Sequence, residues 1–145
     1  MPLPQGVPTA PAQLCLISSL PATHPTAPPR ARLVGRVIAY DPTRALALLA
    51  DGPHGLLVDL SLVMHHNGPA APRARDRLMV TGELVLHDNP IPLPSIDPSL
   101  PLTSTSAPEV DPRVVLLAER MQHCEELDME QWRAAVEAAR AYGER

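Results

Sequence analysis

Apolar positions are densest between residues 32 and 62, RLVGRVIAYDPTRALALLADGPHGLLVDLSL, where the pattern predicts three β-strands and two turns. The first strand, 32–41, is rich in Leu, Val, Ile and Tyr. It stops at Asp41-Pro42-Thr43, because proline has no N–H to give to a ladder. The second covers 44–51, and Asp51-Gly52-Pro53-His54-Gly55 turns the chain into the third, 56–62. Alternation at period two places Leu33, Gly35, Val37 and Ala39 on one face of the first strand and Arg32, Val34, Arg36, Ile38 and Tyr40 on the other. A fourth strand, 77–87, aligns Leu78, Val80, Leu84 and Leu86 around a central Gly82, and a fifth apolar segment spans 113–121. A glycine inside a strand weakens it unless the strand bends sharply or another backbone comes close. Two such strands predict a small, strongly curled barrel that the fifth segment closes.

The flanks read differently. Residues 1–31 form a Pro-rich arm with one apolar island, Leu14-Cys15-Leu16-Ile17, which predicts a short strand docked on the barrel and a loop from 22 to 30. A short helical turn after the third strand is expected to plug one barrel end with Leu62, Val63 or Met64, and 67–76 is a loop. Residues 88–112 form a long Pro-rich loop, expected to be partly disordered and best explained as a tolerated insertion. Residues 128–145 predict the one convincing helix, opened by Asp128 with Gln131 three residues on. At about 100° per residue, Met129, Trp132, Ala135, Val136, Ala139 and Tyr142 share an arc, while Glu130, Arg133, Glu137, Arg140 and Glu144 occupy another. Ala134, Ala138 and Ala141 make a smooth third strip that a helix burying a single face does not need. The domain plan is therefore an arm (1–31), a barrel (32–127) and a terminal helix (128–145).

Composition narrows the function. The chain has 145 residues and a net charge of −4, and all twelve of its basic residues are arginine. That balance argues against binding nucleic acid through bulk electrostatics. The apolar runs are too short to cross a bilayer and no signal-type leader is seen, so a soluble intracellular protein is expected. Cys15 and Cys124 lack CxxC spacing and read as reduced, passive thiols.

No GxxxxGKS/T, GxSxG or HExxH motif occurs, and the chain has no lysine for a phosphate loop. His54, His65, His66, His87 and His123 show no metal-ligand spacing, and Asp41, Asp51, Asp59, Glu83 and Asp88 fit turn and surface roles. The expectation is a protein that is not an enzyme, with no catalytic residues, metal or cofactor. For single-stranded nucleic acid the barrel offers one stacking platform, Tyr40, with Arg32, Arg36 and Arg44 as phosphate contacts. Binding by this chain alone is expected to be weak.

Taken in order, Gly35-Arg36-Val37-Ile38-Ala39-Tyr40-Asp41 with its following hairpin, Leu57-Val58-Asp59-Leu60, Leu78-Met79-Val80-Thr81-Gly82-Glu83-Leu84 and the terminal Ala141-Tyr142-Gly143-Glu144-Arg145 carry a resemblance. The chain resembles the Ten-one family, the smallest subunits of the telomeric CST complex, and Ser18-Ser19-Leu20-Pro21 after the Pro-rich start resembles its fungal branch. The resemblance implies an all-β fold with a C-terminal helix, a five-stranded OB-fold barrel. It further implies a heterodimer with the Stn-one OB-fold subunit, assembly with the large CST subunit, and single-stranded telomeric DNA bound within the complex. The implied role is chromosome-end protection, telomere length regulation and fill-in replication in the nucleus, at telomeres.

On this resemblance Arg32, Tyr142 and Arg145 match positions that hold the partner; the helix arc adds Trp132, Val136 and Ala139. The outer strand row of Arg36, Ile38 and Tyr40 is expected to join that surface. The rival readings are an autonomous single-strand binder using Arg36, Tyr40 and Arg44, and a small subunit of another OB-fold complex of the replication protein A type.

Overall fold

The computed structural model describes residues 12–19, 30–65, 68–95 and 108–143. Its strands are β1 (Gln13–Leu14), β2 (Arg30–Asp41), β3 (Leu46–Asp51), β4 (His54–Asp59), β5 (Arg77–Leu86) and β6 (Val114–His123), followed by helix α1 (Met129–Gly143). Neighbours run β1-β2-β3-β4-β6-β5, and β5 pairs back onto β2, so the sheet closes on itself. β6 closes it by lying parallel to β4 and antiparallel to β5. Five strands, β2 to β6, thus form the barrel in the order of an OB-fold.

Both strand glycines sit where a neighbour comes close. A Cβ on Gly82 would lie 2.1 Å from the Leu117 carbonyl oxygen, where the β5–β6 register shifts between Thr81 and Gly82. A Cβ on Gly35 would lie 2.7 Å from Ile17 Cδ1. Ile17 comes from the arm: β1 runs parallel to β2, Cys15 N–H donates to the Arg32 carbonyl at 2.9 Å, and a 3-10 turn, Ile17–Ser19, carries the fully buried Ile17 into the barrel core. The other plug is Val63, which is buried, with Met64 packed against the core. Leu62 is 60% exposed and is no plug. The turn is set by Val63 and Met64 N–H groups donating to the Leu60 carbonyl at 3.0 and 2.9 Å.

Two predicted strands shorten. The second begins at Leu46, because Arg44 and Ala45 belong to the turn and Ala45 takes a left-handed φ of 51°. The third ends at Asp59, where the carboxylate accepts the Ser61 N–H at 2.8 Å and turns the chain. A β-bulge also changes the predicted faces of β2. Val37 pairs with Leu49 and Ala39 with Leu48, so the intervening Ile38 has no opposite residue. Beyond the bulge the alternation is inverted: Tyr40 lies opposite Ala47 and packs on the barrel core, while Ile38 and Ala39 join the outer apolar cluster.

Candidate interaction surface

Helix α1 begins at a cap formed by Asp128, whose Oδ1 accepts the Glu130 N–H at 2.9 Å. Its inward side is narrow. Trp132 and Val136 are buried against Val34 of β2, within a rim formed by Leu14, Leu16, Met79, Cys124, Leu127 and Met129. Arg133 then ties the helix to the end of β3, its Nη2 donating to Asp51 Oδ1 at 2.7 Å.

The remainder of the helix is exposed and sharply divided. Glu130, Arg133, Glu137 and Arg140 lie within about 80° of one another around the axis, beside the buried edge. Across the next roughly 160° the described side chains are Gln131 and the exposed Ala134, Ala135, Ala138, Ala139 and Ala141, with no charge among them. A helix that merely caps its own barrel turns charged or polar groups to solvent opposite its buried stripe. Here Glu130 and Glu137 hold only one border of that side, and the described side chains beyond them are Gln131 and alanines.

The residues expected to hold a partner are distributed unevenly over this geometry. Trp132 and Val136 are covered by the chain's own barrel and are not surface groups, because the indole and the valine are what attach the helix to Val34. Ala139 lies on the exposed uncharged face. Arg32 is half-buried on β2 beside β1, its Nε donating to Thr81 Oγ1 at 3.2 Å. Tyr142 lies in the last turn of α1, but its side chain, like the whole of Arg145, falls outside the described residues.

The residues expected to touch nucleic acid are not assembled on one face. Arg36 is exposed on the outer side of β2, opposite Ala50 and Arg77. The bulge turns Tyr40 inward, and burial followed by the Asp41 charge raises its phenol above the ordinary value. Arg44 is engaged, with Nε donating to Asp41 Oδ2 at 2.7 Å and Nη1 donating to the Pro92 carbonyl at 2.7 Å. That first bond is the main reason the Asp41 carboxyl lies below its usual range.

OB-folds take ligands across the outer face of their second and third strands, here β3 and β4. On this chain that face is an apolar cluster of Leu46, Leu48, Ala50 and Leu57 with Ile38, Ala39 and Val115, and Ile91 and Val110 pack over it. Both covering residues come from the β5–β6 connection, expected to be a mere insertion. Ile91 N–H donates to the Pro112 carbonyl at 2.8 Å, and Glu109 bridges His54 in parallel, accepting from Gly55 N–H at 2.7 Å and donating to the Pro53 carbonyl at 2.8 Å. Val110 packs tightly on Gly55, where a Cβ would lie 2.7 Å from Val110 Cγ2 and displace it. The one sequence signal for this cover is a pair of isolated apolar residues, Ile91 and Val110, in Pro-rich surroundings. The middle of the connection, 96–107, falls outside the described residues, and with it the expectation of disorder.

No protein-family model matches the chain, and no curated protein matches it by sequence. Solved structures do match by shape. A chain of the S. pombe Stn1–Ten1 complex superposes with a TM-score of 0.59 at 12% identity, covering 92% of this chain and 96% of that one. The telomere capping protein Ten1 of S. pombe gives 0.58 at 13%, covering 90% and 99%. A chain described as an aspartyl-tRNA synthetase of Leishmania major Friedlin gives 0.50 at 14%, covering 88% of this chain and 24% of that one. At these identities the likeness is one of architecture: this chain is an OB-fold barrel flanked by a docked N-terminal arm and a C-terminal helix.

Proposed function

We propose that this chain is a telomere-capping subunit of the CST type that acts by pairing with a second OB-fold protein of the Stn1 kind. The observation that carries the proposal is the outer side of α1, where Ala134, Ala135, Ala138, Ala139 and Ala141 stand exposed and uncharged although Trp132 and Val136 already satisfy the helix's need for a buried face. Small side chains let a second helix approach closely, and the absence of charge removes the desolvation cost of covering them. The near-complete mutual coverage with Ten1 of S. pombe, including a chain of its Stn1 complex, supports the same reading.

The role in this reading is non-catalytic. The chain serves in the nucleus at chromosome ends, joined through its partner to a large subunit and to single-stranded telomeric DNA, in end protection, length regulation and fill-in synthesis. DNA is held mainly by the assembly, in keeping with the covered β3–β4 face and the engaged Arg44.

The test is co-expression with a Stn1-type OB domain, followed by size-exclusion chromatography with light scattering. A stable one-to-one complex is expected. A monomer that ignores the partner but binds a telomeric oligonucleotide in a salt-sensitive manner would replace this reading with that of an autonomous single-strand binder.

A further inference from the structure

Three side chains of metal-binding chemistry converge where β5 begins and β6 ends. Asp76 immediately precedes β5, His123 is the last residue of β6, and Glu125 lies in the turn leading to α1. The strands hold these segments side by side: Leu78 is in register with His123, and Cys124 N–H donates to the Arg77 carbonyl at 2.9 Å. One donor atom from each residue, a ring nitrogen of His123 and a carboxylate oxygen of Asp76 and of Glu125, lies within 4.8 Å of the others. His123 Nδ1 is 3.6 Å from Asp76 Oδ2, too far for a good direct hydrogen bond.

Each of the three is oriented from outside the cluster by backbone. His123 Nε2 lies 2.9 Å from the Ala70 carbonyl oxygen. A carbonyl only accepts, so Nε2–H donates to it and Nδ1 is the ring nitrogen on the Asp76 side. Asp76 Oδ2 accepts the Arg73 N–H at 2.8 Å and Glu125 Oε1 accepts the Arg77 N–H at 2.9 Å. The Asp76 main chain is itself clamped to β2, with Val37 N–H donating to its carbonyl at 2.7 Å and Arg75 N–H donating to the Val37 carbonyl at 2.8 Å. Metal ligands are fixed by outer hydrogen bonds of this kind.

Among the described residues no arginine side chain is paired with either carboxylate. Among the described residues the arginine ion pairs are Arg30 with Glu119, Arg44 with Asp41 and Arg133 with Asp51, while the Arg77 guanidinium donates to the Leu127 carbonyl. Two carboxylates and an imidazole nitrogen therefore face one another with no arginine side chain paired to them among the described residues. His123 and Glu125, though not Asp76, also line an open surface cleft with Cys124, Glu126 and Leu127. Cys124 is not in the donor set, since its Sγ is directed to the Arg77 carbonyl at 3.5 Å.

We propose that Asp76, His123 and Glu125 bind a zinc ion. One imidazole and two carboxylates give the three protein ligands of an open zinc site, and the imidazole nitrogen favours zinc over magnesium or calcium. With metal–ligand bonds of about 2.0–2.2 Å, the His123–Asp76 pair at 3.6 Å already stands near tetrahedral spacing, and closing a triad that spans up to 4.8 Å takes a shift of on the order of 1 Å. The ion would join the segment before β5 to the β6–α1 turn, fastening the start of the helix to the barrel.

The experiment uses the untagged full chain, stripped with chelator and titrated with zinc chloride by calorimetry, with metal content measured after dialysis. One zinc per chain is expected, with a Tm rise of roughly 8 °C at a hundredfold excess over Kd. Magnesium should give no shift. His123→Ala and Asp76→Asn should each weaken binding by about tenfold or more. Glu125→Gln, on an exposed side chain, keeps the test open if either of those fails to fold. No zinc retained, or equal retention by His123→Ala and Glu125→Gln, would overturn the assignment.

Discussion

Arg133 reaches from α1 to Asp51, 82 residues earlier at the end of β3, and places its Nη2 2.7 Å from Oδ1. The pair is lopsided, for the Asp51 side chain is 6% exposed and that of Arg133 is 49% exposed. An exposed ion pair contributes little, but deleting the outer partner strands a buried carboxylate. Arg133 also follows Trp132 directly, so the ion pair and the indole together fix the helix's rotation about its own axis. They determine where the alanine face points.

Arg133→Ala should therefore cost about 1–2 kcal/mol in urea denaturation, an estimate that allows for solvent screening on the arginine side. It should also weaken partner binding even though Arg133 is outside the alanine face. Equal stability of Arg133→Ala and wild type would show that the helix is held by Trp132 and Val136 alone.

Trp132→Ala removes the largest buried group beneath α1 and should cost about 3–5 kcal/mol, with Val136→Ala smaller at about 1–3 kcal/mol. Both effects should appear in the isolated chain, measured by thermal or urea denaturation without any partner. A Trp132→Ala chain of wild-type stability would mean that the helix does not dock on Val34 in solution.

Cys15 is buried, and the loss of solvation pushes its thiol up to about 11, against a smaller opposing effect of the Arg140 charge. A thiol raised in the folded state favours the folded chain fully below the unfolded thiol value. That contribution is lost as pH rises from about 9 toward 11. Cys15→Ala should accordingly flatten the alkaline limb of the stability profile. At pH 8 a disulfide reagent should label the half-exposed Cys124 before Cys15, and unfolding in urea should expose both.

Much of the barrel is legible in the pattern of residues, because alternation and interior glycines are local signals. Gly35 and Gly82 point to close approach, and the arm's apolar island supplies the expected docked strand, while its delivery of Ile17 into the barrel core is not read from the sequence. Tyr40 is misplaced by alternation alone, since a single unpaired residue, Ile38, inverts every position after it. The outward alanines of α1 are visible at helical period, but the reach of Arg133 is not: its partner is the last residue of β3, whose burial depends on the closed sheet.

The same limit applies to Ile91 and Val110. Their apolar character is plain, while the face they cover exists only once β3, β4 and β6 are side by side. His123, Glu125 and Asp76 lie beyond sequence spacing for a related reason, because strand pairing alone brings position 76 to position 123.

The most direct measurement is the affinity of the Stn1-type OB domain for Ala138→Arg beside that for the wild-type chain, with the Tm of both recorded. Ala138 is exposed at the middle of the uncharged face, so a charge there should leave the Tm within about 2 °C, as surface substitutions do. Binding should fall by about a hundredfold or more, because the guanidinium would be buried against an apolar partner helix without a counter-charge. Undiminished binding by an equally stable Ala138→Arg chain would contradict the account, and the partner would then have to meet this protein on another surface.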